Sequence, residues 1–145
     1  MISKKIVLTL LSTAASVTPL SRVLSQQSDS TTRGAETLQN LCIACHQTQP
    51  SHELQEKGLA PPLWGVRDHY LEKYPDRETF VEAIVAYLPK PEADKSLMKG
   101  AIKRFGIMPP LPLPEDALKD AANAMYDAEG FQEPTWWAEH VKAKH

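Results

Sequence analysis

The chain has 145 residues, 16 basic and 18 acidic side chains, a net charge of −2, and two cysteines. That length admits one hydrophobic core, not two. The lack of a basic excess excludes nucleic acid as a partner.

The N-terminus reads as an export leader over residues 1–25. Lys4 and Lys5 give a short positive region, and Ile6 to Val17 is mostly apolar and small, the pattern of a signal peptide. The apolar run is too short and too rich in Ser and Thr for a permanent membrane span. Small residues suited to cleavage stand at Ala15 and Ser25, with Val23 at −3 to the latter. An uncleaved tether is the alternative. Without 1–25 the chain keeps 13 basic and 18 acidic residues and is plainly acidic. Residues 26–33 are polar and turn-prone, the composition of a flexible link.

A first helix is expected from about Ala35 to Gln47, with Leu38, Leu41, Cys42 and Cys45 on one face. Its end carries Cys42-Ile43-Ala44-Cys45-His46, the attachment pattern of c-type haem. Thiols at i and i+3 share a helix face, so both reach the vinyl groups of one haem. The adjacent histidine is then carried under the iron. Three rivals are weaker. A thioredoxin-like pair wants a βαβ setting that is not visible. Zinc wants about four ligands. A plain disulfide leaves His46 without a role.

Beyond a loop with Pro50, Gly58, Pro61 and Pro62, a short helix near Asp68 to Lys73 ends before Pro75. Asp76 can cap the next, whose Phe80, Val81, Ile84, Val85 and Leu88 form a core stripe. Asp94 can cap another, with Leu97, Met98, Ala101, Ile102 and Phe105 inward and Gly106 closing it. Pro114 opens the last main helix, where Ala117, Leu118, Ala121, Ala122, Met125 and Tyr126 recur with helical period up to Gly130. No period-2 strand competes, so the fold class is all-α: four to five helices wrapped around one covalently bound haem.

A second axial ligand has several candidates. Met98 and Met125 lie on apolar helix faces, where methionine fills gaps. Met108 sits in a loop stiffened by Pro109, Pro110, Pro112 and Pro114, able to hold a thioether at iron with little entropic cost. His52 and His69 are the alternatives. His140 and His145 fall in a tail and read as solvated.

From about Gly34 to Gly130 the chain resembles the class I, monohaem c-type cytochromes. The likeness rests on C-I-A-C-H at 42–46, A-P-P-L-W-G at 60–65 and G-I-M-P-P at 106–110 before a final helix. The resemblance implies haem c joined through Cys42 and Cys45, with His46 and Met108 as metal ligands. It implies that the Pro61 carbonyl accepts the other N–H of His46, and that Leu63 packs against the porphyrin. It implies also a close crossing of first and last helices at Gly34, with Tyr126 as a nearby aromatic. Leu38 stands where the family often has an aromatic.

The expectation is therefore a periplasmic electron carrier, not an enzyme, cycling Fe(III)/Fe(II). Its partners would be redox proteins: a donor dehydrogenase or reductase, and an acceptor oxidase or other cytochrome. The alternatives are a haem subunit of a periplasmic dehydrogenase, or a haem enzyme or gas sensor with a labile sixth ligand. Lys95, Lys99 and Lys103, spaced i, i+4, i+8 with Arg104 beside them, read as a solvated helix face or as a stripe steering an acidic partner. Trp136 and Trp137, in the extension 131–145, either pack on the domain or anchor it loosely to a membrane or subunit.

Overall fold

The fold is organised by its last helix, against which three other segments pack. The computed structural model describes residues 20–47, 58–129, 131, 135, 136 and 139. Among them are five α-helices and no strand. They are α1 (Leu20–Thr37), α2 (Leu63–Lys73), α3 (Arg77–Tyr87), α4 (Lys99–Phe105) and α5 (Glu115–Tyr126). None of these helices is long and apolar enough to cross a membrane.

The helix α5 buries Leu118, Ala121, Ala122, Ala124 and Met125. Three alanines in that set leave a shallow surface, and α1 crosses it at Gly34. A methyl built at Gly34 would lie 2.7 Å from the carbonyl carbon of Asp120 and 2.9 Å from the Cβ of Ala124. Glycine is therefore required by the approach of two backbones, as expected. Arg33 pairs with Asp120 at 2.8 Å beside the crossing.

On the other side, α3 lays Phe80 edge-on against Tyr126, with ring centroids 5.3 Å apart. Tyr126 thus stacks on α3, and its hydroxyl donates to the Pro75 carbonyl at 3.0 Å. Arg77 lies over the same ring and reaches Asp127 with both terminal nitrogens, at 2.8 Å and 2.5 Å. The Arg67 guanidinium of α2 donates to the Tyr126 carbonyl at 3.0 Å, satisfying an end of α5. Leu38, Leu63, Trp64, Phe80 and Leu118 form the fully buried centre.

Several boundaries differ from expectation. Residues 26–33, expected as a flexible link, are helical within α1. Ser, Thr and Gln discourage a helix in isolation, but docking on α5 overrides that preference. Residues 1–19 of the expected leader lie outside the described residues, and 20–25 belong to α1. The helix also ends early: the Ile43 N–H reaches the Leu38 carbonyl at 3.1 Å, one residue further back than in an α-helix. The short helix expected at Asp68 begins instead at Leu63, set by Pro62 in extended geometry at its N-cap.

Asp76 caps α3 as expected, accepting from the Thr79 amide at 2.9 Å and its hydroxyl at 2.6 Å. Those bonds hold its carboxyl below the usual carboxylate range. A carboxylate depressed by folding stabilises above its unfolded value and loses that contribution as pH falls through the folded one. Asp76→Ala should accordingly lower Tm at neutral pH, with the gap to the parent closing in strong acid. Thermal melts across pH check this; an equal gap at both extremes would refute it.

Asp94, by contrast, caps nothing. Glu92 binds Lys90 at 3.0 Å and Lys95 at 2.9 Å and folds residues 92–96 into a turn. Ser96 then accepts the Met98 amide at 3.2 Å, and α4 starts only at Lys99. The basic stripe is broken in consequence. Lys95 is off the helix and paired with Glu92, while Lys99 donates to the carbonyls of Ala93 and Asp94 at 2.8 Å and 2.7 Å.

Candidate functional site

The turn that ends the first helix sets the site. The Cys42 carbonyl accepts from Cys45 at 3.2 Å and from His46 at 2.8 Å. This closes the chain so that His46 folds back toward the loop before α2. There its Nδ1 lies 2.7 Å from the Pro61 carbonyl oxygen. A carbonyl has no proton to give, so Nδ1 must carry the hydrogen. In the neutral ring the lone pair is then at Nε2. Burial pushes the imidazole below its ordinary range, partly opposed by the Pro61 bond. The ring is thus neutral, fixed in one tautomer and ready to donate from Nε2.

The Pro61 carbonyl precedes the helical ladder, which starts with Val66 N–H to the Pro62 carbonyl at 3.0 Å, and so can accept this bond. Two consecutive prolines also keep the acceptor still.

Cys42 is half-buried, with Sγ 3.9 Å from the Thr37 carbonyl, and Cys45 is exposed; both thiols are free. Burial pushes the Cys42 thiol up. The βαβ setting of a thioredoxin-like pair is not found, since no strand occurs among the described residues. A zinc knuckle fares no better. Among the described residues no group of three or more His, Cys, Asp or Glu could hold an ion.

The donor set does suit a large apolar cofactor bound covalently. Among the described residues, the large hydrophobic side chains left exposed are Leu41, Leu59 and Ile107, at 48%, 71% and 48%. Each lies within or next to one of the three short motifs, at 42–46, 60–65 and 106–110. Isolated exposed leucines mean little; what these three share is a place on or beside the motif segments. With two thiols on one turn and a bare Nε2, these residues fit haem c.

The remaining predicted residues are placed unevenly. Leu63, implied to face a porphyrin, is enclosed by the protein core at 2% exposure. Its place in α2 turns it toward the other core side chains, and Leu59 is the open apolar residue on that loop. Met108 is half-buried on the segment between α4 and α5, which is tied down by the Leu111 amide on the Leu88 carbonyl at 2.9 Å. The structure joins His46 to Pro61; Met108 belongs to a separate segment. Gly106, with φ of 81°, makes the bend into it.

Among the alternative ligands, His69 turns its Nδ1 onto Gly65 of its own helix at 2.8 Å. Met125 is buried in the core and Met98 is half-buried at the start of α4. His52, His140 and His145 lie outside the described residues, as does Trp137. Trp136 stands edge-on to Trp64 with ring centroids 5.7 Å apart, so this part of the extension packs on the domain. The sequence reading missed Trp64 as a core residue; its place one position inside a helix begun by Pro-Pro was the available signal.

No family model, curated protein or solved structure matches this chain.

Proposed function

We propose that the chain is an exported, periplasmic monohaem cytochrome of the class I type that carries single electrons. In this reading Cys42 and Cys45 bear the thioether links, and His46 and Met108 are the axial ligands. The observation that carries it is the 2.7 Å contact between His46 Nδ1 and the Pro61 carbonyl. It leaves Nε2 as the donor and fixes the plane of the ring, as the proximal ligand of a haem requires. The exposed apolar residues of the three motif segments support the same reading.

Haem, when bound, supplies reversible one-electron chemistry between Fe(III) and Fe(II). The protein's part is to hold the surroundings constant through that change. His46 is anchored on Pro61, which limits its rotation and raises its basicity. Met108 is flanked by Pro109 and Pro110, which restrict the loop and offer a soft donor that favours the lower oxidation state. Leu41, Leu59 and Ile107 would, covered by a bound haem, help to exclude water from it and disfavour the extra positive charge of ferric iron. With both axial positions taken by side chains, no site is left for a substrate, and electron transfer is what remains. Redox proteins are the partners that this chemistry serves.

Mass spectrometry and the absorption spectrum of the natively matured protein test the proposal. Expected are one haem per chain in covalent linkage and the weak near-infrared band of sulfur on ferric iron. A colourless product would sink it.

A labile sixth ligand is the second reading, favoured by the open setting of Met108: Gly106, Ile107, Pro109 and Pro110 are all exposed. Carbon monoxide separates the two. The reduced parent should show no prompt spectral change, whereas Met108→Ala should bind CO at once and lose the near-infrared band. Prompt CO binding by the parent would favour a sensor or enzyme.

A further inference from the structure

The extension after α5 does more than cover apolar surface. Phe131 is buried at 7% exposure and Trp136 packs against the core. Trp136 meets Trp64 edge-on, at 5.7 Å and 88°. Trp64 is 1% exposed and Leu63 2%, so the first turn of α2 is gripped on its inner side by the core and closed by the extension. Directly before that turn are Pro62, its N-cap, and Pro61, whose carbonyl holds His46. Both prolines have a fixed φ. The path from the Trp64 ring to the Pro61 oxygen therefore has few soft torsions, and a shift of the α2 first turn passes to the imidazole.

We infer that Trp136 is a positioning residue for His46, acting through Trp64 and the Pro61-Pro62 pair to keep the Nδ1–H bond closed. An edge-to-face indole pair stabilises beyond its buried area, enough to bias a local opening by several-fold. The inference deepens the cytochrome reading and, for its consequence at iron, rests on it. Loss of the ring should loosen the His46–Pro61 bond and change the basicity of Nε2. The iron's reduction equilibrium then shifts as well.

The experiment uses the full chain as matured, with Trp136→Ala and Trp136→Phe beside the parent. Exchange of the His46 Nδ1–H with solvent is followed by NMR, together with the core amides of Phe80 and Ala122. In W136A the ring proton should exchange about fivefold faster than in the parent while the core amides keep their rates. W136F, which restores an aromatic edge, should lie near the parent. The equilibrium constant for reduction against a fixed mediator should move by about threefold in W136A, since the Nδ1 partner tunes the basicity of the ligand.

Unchanged ring exchange overturns the inference. So does equal acceleration of the ring and the core amides, which would make Trp136 a stability residue only. Should W136A fail to fold, Trp136→Leu keeps the bulk without the aromatic edge and is read by the same comparison. A colourless protein would end the cytochrome proposal and the reduction measurement with it. The exchange comparison would still decide whether the extension holds the ring.

Discussion

Replacing Cys42 and Cys45 together with alanine is expected to abolish covalent haem in the matured protein. The single variants should each retain one link and a weakened, partly dissociable chromophore. The first helix ends in a wide turn at Leu38–Cys42, and Cys45 follows in the tight turn closed on the Cys42 carbonyl. Both sulfurs are free thiols, and burial raises the Cys42 pKa rather than activating the group. A thiol in that condition is poorly suited to disulfide exchange. His46→Ala should be as severe, because it removes the imidazole that follows the two sulfurs and is held by the Pro61 carbonyl through Nδ1. Haem-stained gels and intact mass report the outcome. A double variant that still carries covalent haem would overturn the assignment of both cysteines.

The second large effect is expected at Gly34, and its sign is decided by two opposing magnitudes. Alanine in place of glycine inside a helix gains about 1 kcal/mol from propensity and from a less flexible unfolded chain. Against this stands the clash of a new methyl with the Asp120 backbone and the Ala124 side chain. Backbone atoms cannot rotate away, so α1 and α5 must separate, and overpacking of this kind costs roughly 3 kcal/mol. Gly34→Ala should therefore lose about 2 kcal/mol net, or roughly 8 °C in Tm. Gly100→Ala is the control. It lies in α4 with nothing within 4 Å of its added methyl, so the propensity gain should stand alone and Tm should hold or rise. Thermal melts of the two variants compare them directly. A Gly34→Ala protein as stable as Gly100→Ala would show that the helices do not cross as described.

Much of this fold was legible because strong local rules and tertiary contacts agreed. Asp76 opens α3, Pro114 precedes α5, and the apolar period of 117–126 matches the buried side of that helix. Failure came where a tertiary contact outweighed local composition. The polar run 26–33 looks unstructured by its residue types, yet one crossing at Gly34 is enough to hold it as helix. Asp94 looks like a cap, but Glu92 gathers two lysines and moves the helix start to Lys99.

The candidate site divides in the same way. Cys42, Cys45 and His46 are fixed by type and spacing, whereas the Pro61 contact was implied only by the resemblance of residues 60–65 to a family motif. The orientation of Leu63 was not readable. A leucine at the first position of a helix can turn to either side, and only the packed core around Trp64 decides it. The edge-on pair of Trp64 and Trp136 spans too many residues for any local pattern to disclose.

The wide turn at Leu38–Cys42 absorbs one more residue than an ordinary helical turn. Everything after it is rotated by about 100° relative to an uninterrupted helix. The crossing at Gly34 and the thiol-bearing turn are therefore geared separately: α1 can keep its phase against α5 while the sulfurs take another. A single surplus residue acts as the clutch between the part of the helix that builds the protein and the part that offers its chemistry.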